Sequence, residues 1–132
     1  MHCVAISPIR GIPSLQLRKS YIDRINELLD NIEISRGDPA FKILRKGTNV
    51  PIEPRFISSG ESELISLAIE CLVVSREVVR GKDNLLLLDE PDVHLHPDLQ
   101  SRLIDFMKKL VDEVPFTVVI ATHSTAILER FL

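Results

Sequence analysis

The chain has few of the features that would place a protein outside the cell or in a membrane. Its two cysteines, Cys3 and Cys71, lie far apart and form no CxxC pair, so we expect reduced thiols in a cytosolic protein. No apolar run approaches the roughly 18 residues that a membrane-spanning helix needs. Neither a signal-peptide pattern nor internal repeats nor low-complexity tracts occur. These absences predict a soluble, cytoplasmic protein without a membrane partner.

An excess of charge of one sign is missing too. Sixteen basic and 19 acidic residues leave a formal net charge of −3, so the chain has no general electrostatic attraction for nucleic acid. At 132 residues, 45% of them hydrophobic and 27% charged, the chain has the size and composition of one soluble domain or a piece of one.

The hydrophobic pattern predicts strands and helices of an α/β fold. Residues 1–13 are an irregular lead-in or a short strand, and apolar residues at 3–4 spacing predict an amphipathic helix over residues 14–35, ended by residues 36–39. The four leucines at 85–88 predict a strand buried on both faces of a parallel sheet. The other predicted elements are a short strand at 41–45, a turn at 46–49, an extended stretch at 50–56, a helix from 58 to about 80, a helix beginning at 96–97, a second buried strand at 116–121 and a short final helix.

Polar residues follow both of the predicted buried strands. Asp89 and Glu90 come directly after the leucine strand, and His123 follows the second strand. A strand, a helix and a strand in succession form a βαβ unit with parallel neighbouring strands, so these side chains are expected at one sheet edge. Ligand crevices of open α/β sheets lie at that edge. An adjacent acid pair there can divide the work, the first carboxylate holding a hydrated Mg²⁺ and the second polarising a water.

A second candidate site opens the helix that begins near residue 58. Ser58 and Glu61 have the S-x-x-E spacing of a capping box, which satisfies free amides in the first turn of a helix. The same helix start, with Ser59 and Gly60, exposes backbone N–H groups and the positive end of the helix dipole to an anion such as phosphate. Gly60 would let that phosphate come close to the main chain.

In this order, the motifs ISSGE, LLLLDEP and IATHS resemble the C-terminal half of an ABC-type ATPase head. Residues 57–61 are similar to the signature motif, residues 85–90 to the Walker B strand, residues 92–96 to the D-loop region and His123 to the switch histidine. The sequence of residues 94–97, with Leu99 and Gln100 after it, resembles the corresponding motif in the RecF-like and OLD-like branch of AAA-family ATPases. The resemblance covers residues 41–132, and residues 1–40 carry no matched motif. It implies a partial P-loop NTPase fold with mainly parallel strands and flanking helices.

The resemblance implies a role for each matched residue. Asp89 would bind Mg²⁺ through water, Glu90 would position or deprotonate the attacking water, and His123 would contact the γ-phosphate of ATP. Ser58 and Gly60 would contact the nucleotide of a partner subunit in a head-to-tail dimer. The remaining matched positions are those of the signature and of the D-loop region: Ser59, Glu61, Asp92, His94 and His96.

The chain departs from the family pattern in one decisive way. It contains no G-x-x-x-x-G-K-[ST] string, the Walker A cradle for phosphates, since Gly81-Lys82 is followed by Asp83 and lacks the preceding glycine. The lobe that carries this lysine would then lie on another chain or upstream, or this chain is a degenerate copy. Two smaller departures are His96, where the family often has Asp, and Ser59, where many members have Gly.

The leading hypothesis is therefore the signature and Walker B half of a Mg²⁺- and ATP-dependent ATPase, inactive until a Walker A lobe completes it. The alternative is an interaction or regulatory module derived from such an ATPase that hydrolyses nothing. A third hypothesis is a metal-dependent hydrolase that uses Asp92, His94 and His96, because histidines and carboxylates at alternate positions can converge on one ion. A nucleic-acid or nuclease partner is implied by family analogy alone.

Overall fold

The computed structural model describes residues 1–7, 21–37 and 40–132. This part of the chain is an α/β fold, as the hydrophobic pattern predicts. Its elements, in chain order, are β1 (His2–Ile6), α1 (Tyr21–Leu28), β2 (Ile32–Ser35), β3 (Lys42–Arg45), a 3-10 turn (Pro54–Phe56), α2 (Ser59–Glu77), β4 (Leu85–Asp89), α3 (Pro97–Glu113), β5 (Thr117–Thr122) and α4 (Thr125–Glu129).

The main sheet has the strand order β1-β5-β4. β4 and β5 are parallel neighbours joined through α3, which confirms the predicted βαβ unit, and Asp89 is paired with Ala121 at the end of the register. β1 lies antiparallel on the other side of β5. A separate antiparallel ribbon joins β2 to β3. The expectation of mainly parallel strands is therefore wrong for the described residues, where one of the three strand pairs, β4 with β5, is parallel. The short strand expected at 41–45 and the turn after it are confirmed, with the Thr48 amide bonded to the Arg45 carbonyl at 3.0 Å.

The helices cover one face of the main sheet and leave the other face open. Val118, Ile120 and Thr122 of β5 point into the core, where they meet side chains of α2 and α3. On β4, Leu86 and Leu88 are half-buried, but Leu85 and Leu87 are 57% and 67% exposed. The prediction of a strand buried on both faces is therefore wrong for this chain, because no layer covers the second face in the described residues.

The two long helices begin where their sequences predict. Ser58 is the N-cap of α2, and Pro97 occupies the first turn of α3 after the N-cap His96. α2 ends at Glu77, slightly before the predicted end, and Gly81 turns the chain with a φ of 78°. No helix within the described ranges is long and apolar enough to cross a bilayer.

The predicted helix over residues 14–35 is wrong at its C-terminal end. α1 ends at Leu28, and residues 32–35 form strand β2. The Asn26 side chain of α1 stabilises this strand by bonding to its main chain. Its Oδ1 accepts from the Ile34 amide at 2.7 Å, and its Nδ2 donates to the Ile34 carbonyl at 2.8 Å. The other edge of Ile34 pairs with Ile43 of β3. Residues 8–20 and 38–39 lie outside the described residues; they include residues 8–13 of the predicted lead-in, residues 14–20 of the predicted helix and part of the predicted helix terminator.

The stretch at 50–56 is extended only in part. Pro51 forms a bridge with Leu44, which continues the β2–β3 ribbon, and residues 54–56 then turn into a 3-10 helix. The prediction of an extended stretch is wrong for that last turn. Pro54 explains it, because its fixed φ suits the first position of a helical turn.

The N-terminal elements share the core of the rest of the chain. Ile25, Leu28 and Leu29 are buried in the same cluster as the residues of α2 and α3. Arg102 of α3 donates to the Leu28 carbonyl at 3.2 Å and pairs with Asp30. The hydrogen bond that the Arg102 guanidinium donates to the Asp30 carboxylate lowers the pKa of Asp30. A guanidinium beside the last carbonyls of α1 also suits the negative end of the helix dipole.

Candidate functional site

The ends of β4 and β5 bring the predicted site residues Glu90 and His123 together. The Glu90 amide donates to the Ala121 carbonyl at 2.8 Å, which extends the parallel ladder by one residue past β4. Beyond this bond, His123 Nε2 lies 3.6 Å from Glu90 Oε1. The predicted convergence at one sheet edge is thus confirmed, while the catalytic roles of the two residues remain predictions.

Glu90 has an unusual backbone. Its φ is 47°, and among the described residues it is the one non-glycine residue with a positive φ. Holding a non-glycine residue in this region costs on the order of 1 kcal/mol, and such residues concentrate at functional sites. The turn directs the Glu90 carboxylate to the loop after β5, where His123 lies.

Asp89 lies at the exposed end of β4, on the sheet face that also carries Leu85 and Leu87. Glu90 is 41% exposed and His123 is 63% exposed at the side chain. Solvent therefore reaches both side chains, and an anionic ligand could approach this edge. Water also weakens the attraction between them.

The first turn of α2 is capped as its sequence predicts. Ser58 Oγ accepts from the Glu61 amide at 3.1 Å and donates to Glu61 Oε2 at 3.0 Å. Ser59 is exposed, whereas Gly60 is half-buried against the residues that follow β4. A Cβ added at Gly60 would lie 3.0 Å from Leu99 Cδ1 and 3.5 Å from the His94 carbonyl oxygen. The glycine thus allows the start of α2 to approach the loop after β4.

Asp92 is held within the protein, whereas His94 and His96 are exposed. Asp92 Oδ1 accepts from the Thr122 hydroxyl at 2.6 Å. His96 is the N-cap of α3 but makes no side-chain capping bond. Among residues 1–7, 21–37 and 40–132, no group of three histidine, cysteine or acidic side chains could hold a metal. The hypothesis of a metal-dependent hydrolase at Asp92, His94 and His96 is therefore not supported.

Sequence reasoning missed three residues that surround this site. Thr122 is fully buried and Gln100 is 7% exposed. The Thr122 hydroxyl accepts from the Ser124 amide at 2.9 Å, and the Ser124 hydroxyl donates to Gln100 Oε1. One signal in the sequence pointed to them, namely polar residues at positions that helix and strand periodicity assigns to the core.

The fold and this edge define an α/β domain of the P-loop NTPase type, with acids and a histidine at the carboxyl ends of parallel strands. A family model described as the AAA ATPase domain matches residues 9–128, most of the chain. The chain belongs to the AAA ATPase domain family.

Individual relatives agree with this assignment. The molybdate/tungstate import ATP-binding protein WtpC of Pyrococcus horikoshii is 32% identical over 88% of this chain and 37% of its own length. The DNA double-strand break repair Rad50 ATPase of Archaeoglobus fulgidus is 32% identical over 67% of this chain and 10% of its own length. Protein ea59 of Escherichia phage lambda is 41% identical over 48% of this chain and 12% of its own length. The chain therefore spans well under half of each of these relatives and corresponds to an ATPase region of the ABC and AAA type.

Proposed function

We propose that this chain is the signature, Walker B and switch-histidine half of an ATP-hydrolysing head, of the RecF-like and OLD-like branch. The observation that carries the proposal is the approach of Glu90 to His123 at 3.6 Å, with Glu90 in a left-handed backbone conformation. Two residues distant in the sequence meet at the edge where α/β sheets bind ligands. The motif-based division into residues 1–40 and 41–132 belongs to the same proposal.

In this proposal the sheet edge performs the hydrolysis. Glu90 orients the attacking water and accepts its proton, and the His123 imidazole donates a hydrogen bond toward the γ-phosphate. Such groups act by positioning and by stabilising charge, which is what phosphoryl transfer requires. The left-handed turn at Glu90 supports this role, because residues in such strained conformations concentrate at functional sites.

ATP and Mg²⁺ are the implied ligands, and the side chains present fit part of this set. Asp89 offers an exposed carboxylate beside Glu90, and Mg²⁺ is commonly held by one or two carboxylates together with water and phosphate oxygens. When bound, the ion would neutralise charge on the phosphates. Ser58, Ser59, Gly60 and Glu61 would meet the nucleotide of a partner subunit at the positive end of α2. Asp92, His94 and His96 would line the same subunit contact.

The phosphate cradle is the part that this sequence does not contain, so activity depends on a second lobe. We infer that a Walker A lobe, in another chain or upstream of this one, completes the head and that two heads associate head to tail. The open sheet face with Leu85 and Leu87 supports a missing layer. The net charge of −3 gives no general attraction for DNA, so a nucleic-acid or nuclease partner rests on family analogy alone.

The test is to supply the missing lobe. Co-expression with a lobe bearing G-x-x-x-x-G-K-[ST], encoded upstream or in a neighbouring reading frame, should give Mg²⁺-dependent phosphate release that neither part shows alone. Glu90→Gln should lower kcat by about a hundredfold or more, the usual scale for a positioned general base. Glu77→Gln, at the exposed end of α2, is the matched control and should leave kcat unchanged.

Two results would decide against the proposal. Phosphate release that is unaffected by Glu90→Gln would remove Glu90 from the reaction. A stable complex with the lobe that hydrolyses nothing would favour the alternative, an inactive interaction or regulatory module that uses the same open face.

A further inference from the structure

The position of His123 depends on the residues on either side of it. The ring is 63% exposed and contacts Glu90 across 3.6 Å, a weak restraint at a solvated edge. Thr122, in contrast, is fully buried, and its hydroxyl accepts from the Ser124 amide at 2.9 Å while it donates to Asp92 Oδ1 at 2.6 Å. The backbone on both sides of His123 is therefore attached to the loop that follows β4.

Gln100 closes this arrangement into a ring of hydrogen bonds. Its Nε2 donates to the Leu95 carbonyl at 2.8 Å and to the Asp92 carbonyl at 3.3 Å. Its Oε1 accepts from the hydroxyl of Ser124, which is also the N-cap of α4. The ring thus runs from Asp92 through Thr122, Ser124 and Gln100 back to Asp92, and it joins residues 92–100 to residues 122–124.

Burial makes this ring stiff. Gln100 is 7% exposed, so displacing one loop without the other would leave buried polar groups unpaired. Leaving such groups unpaired is unfavourable, which favours movement of both loops together.

The loop after β4 also touches the start of α2. A Cβ at Gly60 would lie 3.5 Å from the His94 carbonyl oxygen and 3.0 Å from Leu99 Cδ1, immediately before Gln100. A displacement at the start of α2 therefore acts on Leu99 and His94, which are the chain neighbours of Gln100 and Leu95, two residues joined by a hydrogen bond.

We propose that Gln100 is a positioning residue that couples the start of α2 and the loop after β4 to His123. Its consequence for catalysis rests on the proposed function, because only there does His123 meet a phosphate. The coupling itself is a property of the folded chain without nucleotide.

The coupling can be measured by NMR on the full 132-residue chain, with ¹³C-labelled histidine and the His123 resonance assigned through His123→Gln. Gly60→Ala, whose methyl group would press on the Leu99 side chain beside Gln100, should shift the His123 ring resonance. In a Gln100→Met background the same Gly60→Ala shift should be at least halved, since methionine keeps the length of the side chain but not its hydrogen bonds. Lys109→Met, on the exposed surface of α3, is the control background and should leave the shift at its full size.

If Gln100→Met fails to fold, Ser124→Ala breaks the same ring at one hydroxyl, and Ser124→Thr should restore the coupling. A His123 shift that is absent, or equal in the wild-type and ring-broken backgrounds, would overturn the proposal. No nucleotide enters this measurement, so a failed hydrolysis assay leaves its result unchanged, and the reverse also holds.

Discussion

Glu90 is kept in its left-handed conformation by bonds at both of its peptide groups. Its amide donates to the Ala121 carbonyl at 2.8 Å, and its carbonyl accepts from the Val93 amide at 3.4 Å. The buried Pro91 that follows restricts the chain further. The strain at Glu90 is therefore held by the sheet edge on one side and by the loop after β4 on the other.

A second single-residue effect concerns Cys71, which is fully buried in α2. Burial raises the pKa of its thiol to about 12. In the unfolded chain the thiol ionises near its ordinary pKa of about 8.5. Below that pH the thiol is protonated in both the folded and the unfolded state, so it adds no pH dependence to the free energy of unfolding. Between about pH 8.5 and 12 the unfolded state alone loses the proton, and the free energy of unfolding should fall by up to about 1.4 kcal/mol per pH unit.

Urea unfolding at pH 8 to 11 checks this slope against two variants. Cys71→Val should lose the Cys71 contribution and show a shallower decline, whereas Cys3→Val, at an exposed position, should follow the wild type. Parallel curves for all three proteins would show that Cys71 keeps its ordinary pKa in the folded state.

At the scale of elements, the start of α2 depends on its cap. Ser58→Ala removes the acceptor for the Glu61 amide and should lower the free energy of unfolding by about 1 kcal/mol. Ser66→Ala in the same helix is the matched control, because the Ser66 hydroxyl donates back to the Ser62 carbonyl and alanine is the better helix former. Denaturant midpoints measured without nucleotide separate the cap from any phosphate role. Equal losses for both variants would contradict the capping role of Ser58.

Local sequence signals predicted α2, α3 and the strands of the βαβ unit well. Ser58 marks a helix start because its hydroxyl caps the first turn, and Pro97 because its fixed φ suits that turn. The parallel pairing of β4 and β5 follows from the helix that connects them. β2 could not be found in this way. Ile32 continues the helix spacing of Ile25 and Leu28 and also begins a strand alternation with Ile34. Pairing of Ile34 with Ile43, together with the Asn26 side chain, decides for the strand.

The candidate site, too, could be predicted only in part from the sequence. Asp89, Glu90 and His123 follow strand ends, so topology alone places them at one edge. Periodicity assigns Thr122 and Gln100 to the core, but it does not identify their hydrogen-bond partners, which only the folded chain brings next to them. The left-handed turn at Glu90 has no local sequence signal either, since no glycine or asparagine marks it.

At the scale of the whole molecule, the sheet is covered on one face only in the described part of the chain. The side chains of β4 alternate between the two faces, so adjacent leucines have opposite environments: Leu88 is half-buried beneath the helices, and Leu87 is 67% exposed. Apolar surface of this kind on an edge strand favours association. The open face in the described residues and the incomplete set of phosphate-binding motifs are both what the proposed second lobe would require.

This asymmetry predicts opposite outcomes for the same substitution at neighbouring positions. Leu88→Thr places a hydroxyl against the core and should lower the free energy of unfolding by about 1–3 kcal/mol. Leu87→Thr should change it by less than about 0.5 kcal/mol, because the side chain is already in water. Relative to the wild type, Leu87→Thr should instead show less binding of a hydrophobic dye and a weaker tendency to associate in sedimentation experiments at rising concentration, with Leu88→Thr as its matched control. If Leu87→Thr destabilises the isolated chain as much as Leu88→Thr, then a second copy or an unrecognised segment already covers this face, and the inference of an uncovered layer fails.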